Sequence, residues 1–358
     1  MVNVRNEYEP DLVTPPGDTL REILGTRGMS GTELAERIGQ SRKNVSDILR
    51  GQAPISPETA LSLERALGVS ASFWLNRERN YREHLARLAE HKELVRGAEW
   101  VCNFPVSGMV KLGWIERRTD KGEQVREVLN FFGVASPEAW QVHWESCSAA
   151  FRKSTAQRTD FYALAAWLRR GEIEADGINC NLYESAEFKE TLPKVRALTL
   201  EPPKVFQSQL VGLCASCGVA VVFVPELPKT ASGATRWLTP RKALIQLSLR
   251  YKTDDHLWFT FFHEAAHILL HGKRLVFVEG DESGGTEERK ADEFAGNMLI
   301  PKRTYRAFIA SESFNKAAIR RFAQEQGIAP GIVVGRLQHD RLLPFSHCND
   351  LKRKFVWG

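Results

Sequence analysis

His263-Glu264-Ala265-Ala266-His267 reads H-E-x-x-H and sits in an apolar stretch running from Leu257 to Leu270. On a helix, positions i and i+4 share one face, so both imidazoles can point at one metal ion. Glu264 falls beside that face, where a carboxylate can take a proton from water. That is the minimal apparatus of zinc-dependent peptide hydrolysis. Thr253-Asp254-Asp255 offers N-cap oxygens, and Gly272 offers a stop. Between them Trp258, Phe259, Phe261, Phe262, Ile268, Leu269 and Leu270 cover nearly every face, so the helix is predicted to be buried. Two histidines and a glutamate in a buried helix are costly unless something satisfies them, and a metal does. The alternative is a pair of hydrogen-bonded core histidines.

A third ligand has to come from elsewhere. Glu288 and Asp292 stand four apart in a second helix, patterned by Ala291, Phe294, Ala295, Met298 and Leu299 and closed by Pro301. One carboxylate can bind the metal while the other accepts the outer ring N–H of a ligand histidine. We assign Glu288 as ligand and Asp292 as the orienting group. Glu287 and Glu293 compete for these roles. His271, four beyond His267, can also reach the site but is expected at the helix end near solvent. Two histidines and a carboxylate suit Zn2+, with Mn2+ as the other candidate.

From about Leu210 to Arg341 the chain resembles the ImmA/IrrE family of zinc metallopeptidases. The resemblance rests on His263 to His271, on Glu288-Arg289-Lys290-Ala291-Asp292-Glu293-Phe294-Ala295 and on Leu299-Ile300-Pro301. It implies His263, His267 and Glu288 as metal ligands, Glu264 as the base, a small α/β zincin fold, and cleavage of one specific protein, often a DNA-binding repressor. Lys290 departs from the family, where that position is often acidic.

The N-terminal region carries a second signal. Gly31 to Ile38 has the apolar spacing of a short helix, Gly39-Gln40-Ser41 makes a turn, and Arg42 to Arg50 forms a second helix stopped by Gly51. Val45, Ile48 and Leu49 face inward, while Arg42, Lys43, Asn44, Ser46 and Arg50 face out. This is a helix-turn-helix, whose second helix lies in the DNA major groove. Arg42 and Lys43 can meet guanine or phosphate, and Asn44 can pair with adenine. A generic helical hairpin with a basic face is the plainer alternative. Pro16 to about Leu88 also resembles the HigA-type antitoxins among the Xre (Cro/repressor-like) regulators. The carrying residues are Pro16-Gly17-Asp18-Thr19-Leu20-Arg21-Glu22, the helix-turn-helix, Ile55 to Leu61, and Leu67 to Asn76. That resemblance implies five helices, dimerisation, repression of the chain's own promoter, and binding of a toxin. Gly31 replaces the Gln that usually opens the first helix of the motif.

A chain of 358 residues has mass for two or three domains. Its net charge of +5 is mildly basic and allows nucleic-acid binding without demanding it everywhere. No apolar run reaches 18 residues and no signal peptide is visible, which predicts a cytoplasmic protein without membrane partners. The six cysteines are scattered, as expected of reduced thiols. The lone Cys214-Ala215-Ser216-Cys217 precedes an apolar strand and reads as a buried pair rather than a metal or redox site.

Between the two modules, Val125 to Phe132, Thr159 to Arg169 and Ala186 to Leu198 look helical, the last broken at Pro193. Pro202-Pro203 marks a boundary. Beyond it Lys204 to Cys214 reads as a helix, and Gly218 to Val224, Ala234 to Leu238, Ala243 to Leu249 and Leu275 to Glu279 as strands. Ala234 to Leu238 is expected to be an exposed edge strand that pairs with substrate backbone, with Thr235, Arg236 and Trp237 in contact. Gly280 to Gly285 reads as a mobile rim of the cleft. The helices from Asn315 and from Pro330 could pass for another DNA-binding pair, but the packing reading is preferred.

The expected architecture is multidomain, α and α+β. It comprises an all-α helix-turn-helix domain over 14–91, a helical connector over 92–203, a zincin-like metallopeptidase domain with a small sheet over 204–344, and a tail over 345–358. The expected function is a DNA-binding transcriptional regulator, a homodimer on a double-stranded operator. Its zinc endopeptidase would cut itself or a partner repressor in a stress or phage-defence response. The alternative is an antitoxin-like repressor that binds a toxin and whose metal domain only senses or docks.

Overall fold

The computed structural model describes residues 13–144, 160–248, 252–271, 277–278, 285–311 and 313–355. They form two compact units, divided between Arg96 and Gly97.

The first unit is five helices: α1 (Pro16–Thr26), α2 (Gly31–Ile38), α3 (Arg42–Leu49), α4 (Pro57–Leu67) and α5 (Ala71–Arg96). Local chemistry sets the boundaries. Ser30, Ser41 and Ser56 each accept the backbone N–H three residues on, and Gly39 and Gly68 close α2 and α4 in the left-handed conformation. Leu20, Leu34, Val45, Ile48, Leu63 and Trp74 fill the centre. Gly17 is required by a close approach: a Cβ there would run into the Ile48 carbonyl oxygen, so only glycine lets α1 press on the end of α3.

The second unit opens with α6 (Ala98–Val101), α7 (Val106–Lys111), α8 (Lys121–Phe132) and α9 (137–144). After α10 (Phe161–Asp176), α11 (Ser185–Ala197) and α12 (Pro203–Ala215) come strands β1 (Val219–Phe223), β2 (Gly233–Thr239) and β3 (Lys242–Leu247). Then follow α13 (Asp254–Leu270), β4 (Phe277–Val278), α14 (Thr286–Leu299), α15 (Lys302–Ile309), α16 (Lys316–Gln326) and α17 (Pro330–His339). Pro193 does not break α11. Phe188, Leu192 and Val195 are fully buried on either side of it, and that packing outweighs a proline penalty of about 3 kcal/mol.

The sheet order is β1-β3-β2-β4, with β1 parallel to β3 and the remaining pairs antiparallel. Alternation along β3 sorts its two faces. Ala243, Ile245 and Leu247 join the core that holds Leu257, Trp258 and Phe261 of α13. Gln246 points the other way and donates to the Trp167 carbonyl of α10 at 2.6 Å. Arg236 of β2 also turns to α10, donating to the Leu168 carbonyl and pairing with Glu172, both at 2.7 Å. The segment between the two predicted modules thus covers one face of the sheet, and α13 lies on the other.

Two expectations are corrected here. At Ala234 and Thr235 β2 is no open edge: β3 pairs with it on one side and β4, through Val278 and Phe277, on the other. Thr235 and Arg236 are buried against α13 and α10, and Trp237 meets Tyr183 edge-on at 4.8 Å. Residues 345–355 are no tail. Arg353 exchanges hydrogen bonds with Asp254, Lys352 pairs with Asp255 at 2.6 Å, and Phe355 is buried against Phe206. The segment straps the first turn of α13 to the Leu200 and Glu201 carbonyls, both reached by Arg353. The helices α16 and α17 do pack in the main core, through Ile319, Phe322, Val333 and Leu337. Cys214 and Cys217 are buried thiols. Of the strand read at Leu275 to Glu279, only Phe277 and Val278 fall among the described residues, and Gly280 to Gly284 lie outside them.

Candidate metal centre and nucleic-acid interface

In the middle of α13 the two histidines of H-E-x-x-H are almost wholly buried, at 3% exposure for His263 and 2% for His267. Glu264 is fully buried. The helix α14 runs alongside and brings Glu288 to them. Three side chains converge: the Nε2 atoms of His263 and His267 lie 3.0 Å apart, Glu288 Oε2 lies 3.1 Å from the first and Glu288 Oε1 3.5 Å from the second. Ligands on a tetrahedral zinc with bonds of 2.0–2.1 Å stand about 3.4 Å from one another, so these spacings fit.

The protonation pattern fits as well. Nδ1 of His263 lies 2.9 Å from Asp292 Oδ1. A carboxylate only accepts, so Nδ1 carries the proton and Nε2 turns a lone pair inward. Nδ1 of His267 meets Nδ1 of His271 at 2.9 Å. Burial holds His271 below the ordinary histidine range, and its neutral ring can accept that N–H. Two imidazole lone pairs and a carboxylate then face one point, and a cation resolves their repulsion. The competing carboxylates lie outside: Glu287 is exposed, and Glu293 pairs with Lys302 at 3.0 Å.

Sequence alone places His271 within reach of the site, at the helix end near solvent, but does not assign it the bond to His267. The signal is its spacing, a third histidine one further turn along. Gly233 likewise reads from sequence as no more than a turn residue. A Cβ at Gly233 would run into the Thr260 methyl and stand 2.8 Å from Glu264 Oε1, so glycine lets β2 lie directly against the Glu264 carboxyl. Thr235 Oγ1 donates to the Glu264 carbonyl at 3.1 Å, fixing the same strand to the same turn of helix. Thr235, Arg236 and Trp237 therefore sit in packing roles.

In the first unit, α3 presents Arg42, Lys43, Ser46 and Arg50 to solvent, with Asn44 half-buried. Arg42 pairs with Glu36 at 3.2 Å and Arg50 with Asp47 at 2.6 Å. Such exposed pairs contribute at most about 1 kcal/mol and can be traded for phosphate. Asn44 donates to the Gln40 side chain at 3.0 Å, across the turn between the two helices. Val45 and Ile48 anchor the opposite face.

A helix-turn-helix family model matches residues 20–74, and a model of the IrrE N-terminal-like domain matches 215–337. Virulence-associated protein A of Dichelobacter nodosus is 40% identical over 78 residues, which are 21% of this chain and 74% of that protein. The uncharacterized HTH-type transcriptional regulator YddM of Escherichia coli is 34% identical over 61 residues, 17% of this chain and 65% of that protein. Among solved structures, the Pseudomonas aeruginosa antitoxin HigA with its higBA promoter is 35% identical, covering 23% of this chain and 90% of that one, with a TM-score of 0.22. No helix among the described residues is long and apolar enough to cross a membrane. The chain thus belongs to the helix-turn-helix regulators and carries an IrrE N-terminal-like, metallopeptidase-type domain.

Proposed function

We propose that this chain, a helix-turn-helix regulator joined to an IrrE N-terminal-like domain, holds an operator through its first unit and is a zinc endopeptidase through its second. Cutting itself or a partner repressor would relieve repression. The observation that carries the reading is the convergence of His263, His267 and Glu288 beside a buried Glu264. Zinc bound there supplies Lewis acidity toward a peptide carbonyl and toward water. Asp292 and His271 hold the two rings with Nε2 inward. Glu264 takes the proton of the attacking water and returns it to the leaving amine. In the first unit, Arg42, Lys43, Asn44, Ser46 and Arg50 contact DNA, Asn44 exchanging its bond to Gln40 for an adenine edge.

Mapping new protein N-termini in cells carrying wild type or Glu264→Gln, before and after DNA damage or phage challenge, tests this. Loss of a general base costs about 10²–10⁴-fold in rate, so a terminus present in wild type should vanish in the variant. A terminus inside this chain means self-cleavage, and one in another protein names the substrate. If every terminus is shared by both strains, the peptidase reading fails and a metal-dependent binding module takes its place.

A further inference from the structure

We infer that a cavity of about 270 Å³ between α13, α14 and α17 binds a small uncharged molecule: a single-ring or similarly compact apolar body carrying one hydroxyl. Phe259, Leu299, Ile300 and Ile332 make its apolar walls. Asp255 lines it too, although its side chain is only 7% exposed. Asp255 Oδ2 is bound to Lys352 Nζ at 2.6 Å, but Oδ1, also buried, has no hydrogen-bond partner. A buried carboxylate oxygen left without a donor is costly, and a ligand O–H satisfies it.

Charge excludes the ionic classes. Asp255 is already neutralised by Lys352. On the far wall Arg336 and His339 both pair with Asp340 at 2.9 Å, Arg336 lying over the Tyr305 ring, and burial holds the lining His256 below the ordinary histidine range. A charged ligand would enter a site whose charges are balanced, whereas a neutral donor completes it. The walls are also built for close approach. A Cβ at Gly335 would stand 2.5 Å from Asp255 Oδ2, so α17 can lie against that carboxyl only with glycine there.

The position gives the pocket a consequence. Its walls are α13 and α14, the helices that carry His263, His267 and Glu288. Phe259 is one turn before His263, and their rings stand 6.2 Å apart. Occupancy fixes the spacing of the two helices and so couples to metal affinity, and linkage makes that coupling reciprocal. The binding claim stands on the cavity alone, while the coupling rests on the metal-centre reading.

The test is a ¹⁹F NMR titration of the full chain, zinc-loaded and metal-free, with 4-fluorobenzyl alcohol and with 4-fluorotoluene, which has the same ring and lacks the hydroxyl. The alcohol should saturate at millimolar concentrations or below, with the toluene weaker by about tenfold or more. Leu299→Trp and, separately, Ile332→Trp narrow the cavity and should weaken binding about tenfold or more, with cooperative melting showing that each variant is folded. Equal binding of the two probes, no binding of the alcohol, or unchanged titration in a folded narrowing variant overturns the proposal. A ratio of one between the zinc-loaded and metal-free affinities overturns the coupling. A chain that takes up no zinc refutes the metal-centre reading instead, and leaves the alcohol titration to stand or fall by itself.

Discussion

The two candidate sites are built in opposite ways. In the helix-turn-helix the functional side chains are on the outside of a locally encoded hairpin, and the core beneath them, Val45 and Ile48, does no chemistry. In the second unit the candidate side chains His263, Glu264 and His267 are themselves buried, with Glu288 half-buried beside them, held by residues from two helices and a strand. The first arrangement lets recognition change without touching stability. The second ties the site to folding, because two buried imidazoles and a half-buried carboxylate that would repel one another are held together. Selective loss of metal is the strongest way to break this contrast. Chelation should lower the melting of the second unit and leave the first untouched. At free zinc about 1,000-fold above Kd the stabilisation lost is about 4 kcal/mol. Differential scanning calorimetry with and without chelator measures it, and equal shifts in both units would abolish the distinction.

A smaller effect sharpens the same point. Asp292 is more than half exposed, at 56%, yet it sets the ring of the buried His263. Asp292→Ala should weaken zinc binding by about 10- to 100-fold, the usual range for a group that orients a ligand. Asp292→Asn should restore only part of it, since an amide oxygen accepts the Nδ1–H more weakly than a carboxylate. Competition with a chromophoric chelator reads both. Zinc affinity unchanged in Asp292→Ala would mean that packing against Phe259, not the hydrogen bond, orients His263.

The contrast also explains what can be read from the chain. Ser30, Ser41 and Gly39 are local signals, and they place α2 and α3 within a residue of the expected bounds. The helix with H-E-x-x-H is legible because its spacing and its apolar flanks agree. The strap at 349–355 is not, because it has no periodicity and its meaning lies in partners about a hundred residues away: Asp254 for Arg353, Asp255 for Lys352. The state of β2 is hidden for a similar reason. A strand pattern gives alternation but not which neighbours pair, and β4 is two described residues long. At Pro193 a local rule about helix breaking loses to burial by distant groups. His271 and Gly233 matter only through what folding lays against them.

The smallest expected effect tests the other side of the comparison. Lys43 is exposed on α3 and is flanked by residues whose own pairs are solvent-screened. Lys43→Ala should leave the unfolding free energy of the first unit within about 0.5 kcal/mol of wild type, since it removes no buried contact. If Lys43 meets phosphate, operator affinity should fall by a similar factor on every sequence, and the log–log salt slope should shrink by about one. If it meets a guanine edge, the loss should be about 1–3 kcal/mol and confined to operators with that base. Urea unfolding and fluorescence anisotropy at several salt concentrations separate these outcomes. A loss of stability larger than the loss of binding would show that the outer face of α3 is not free of the fold, and the division between an outside site and an inside site would have to be drawn elsewhere.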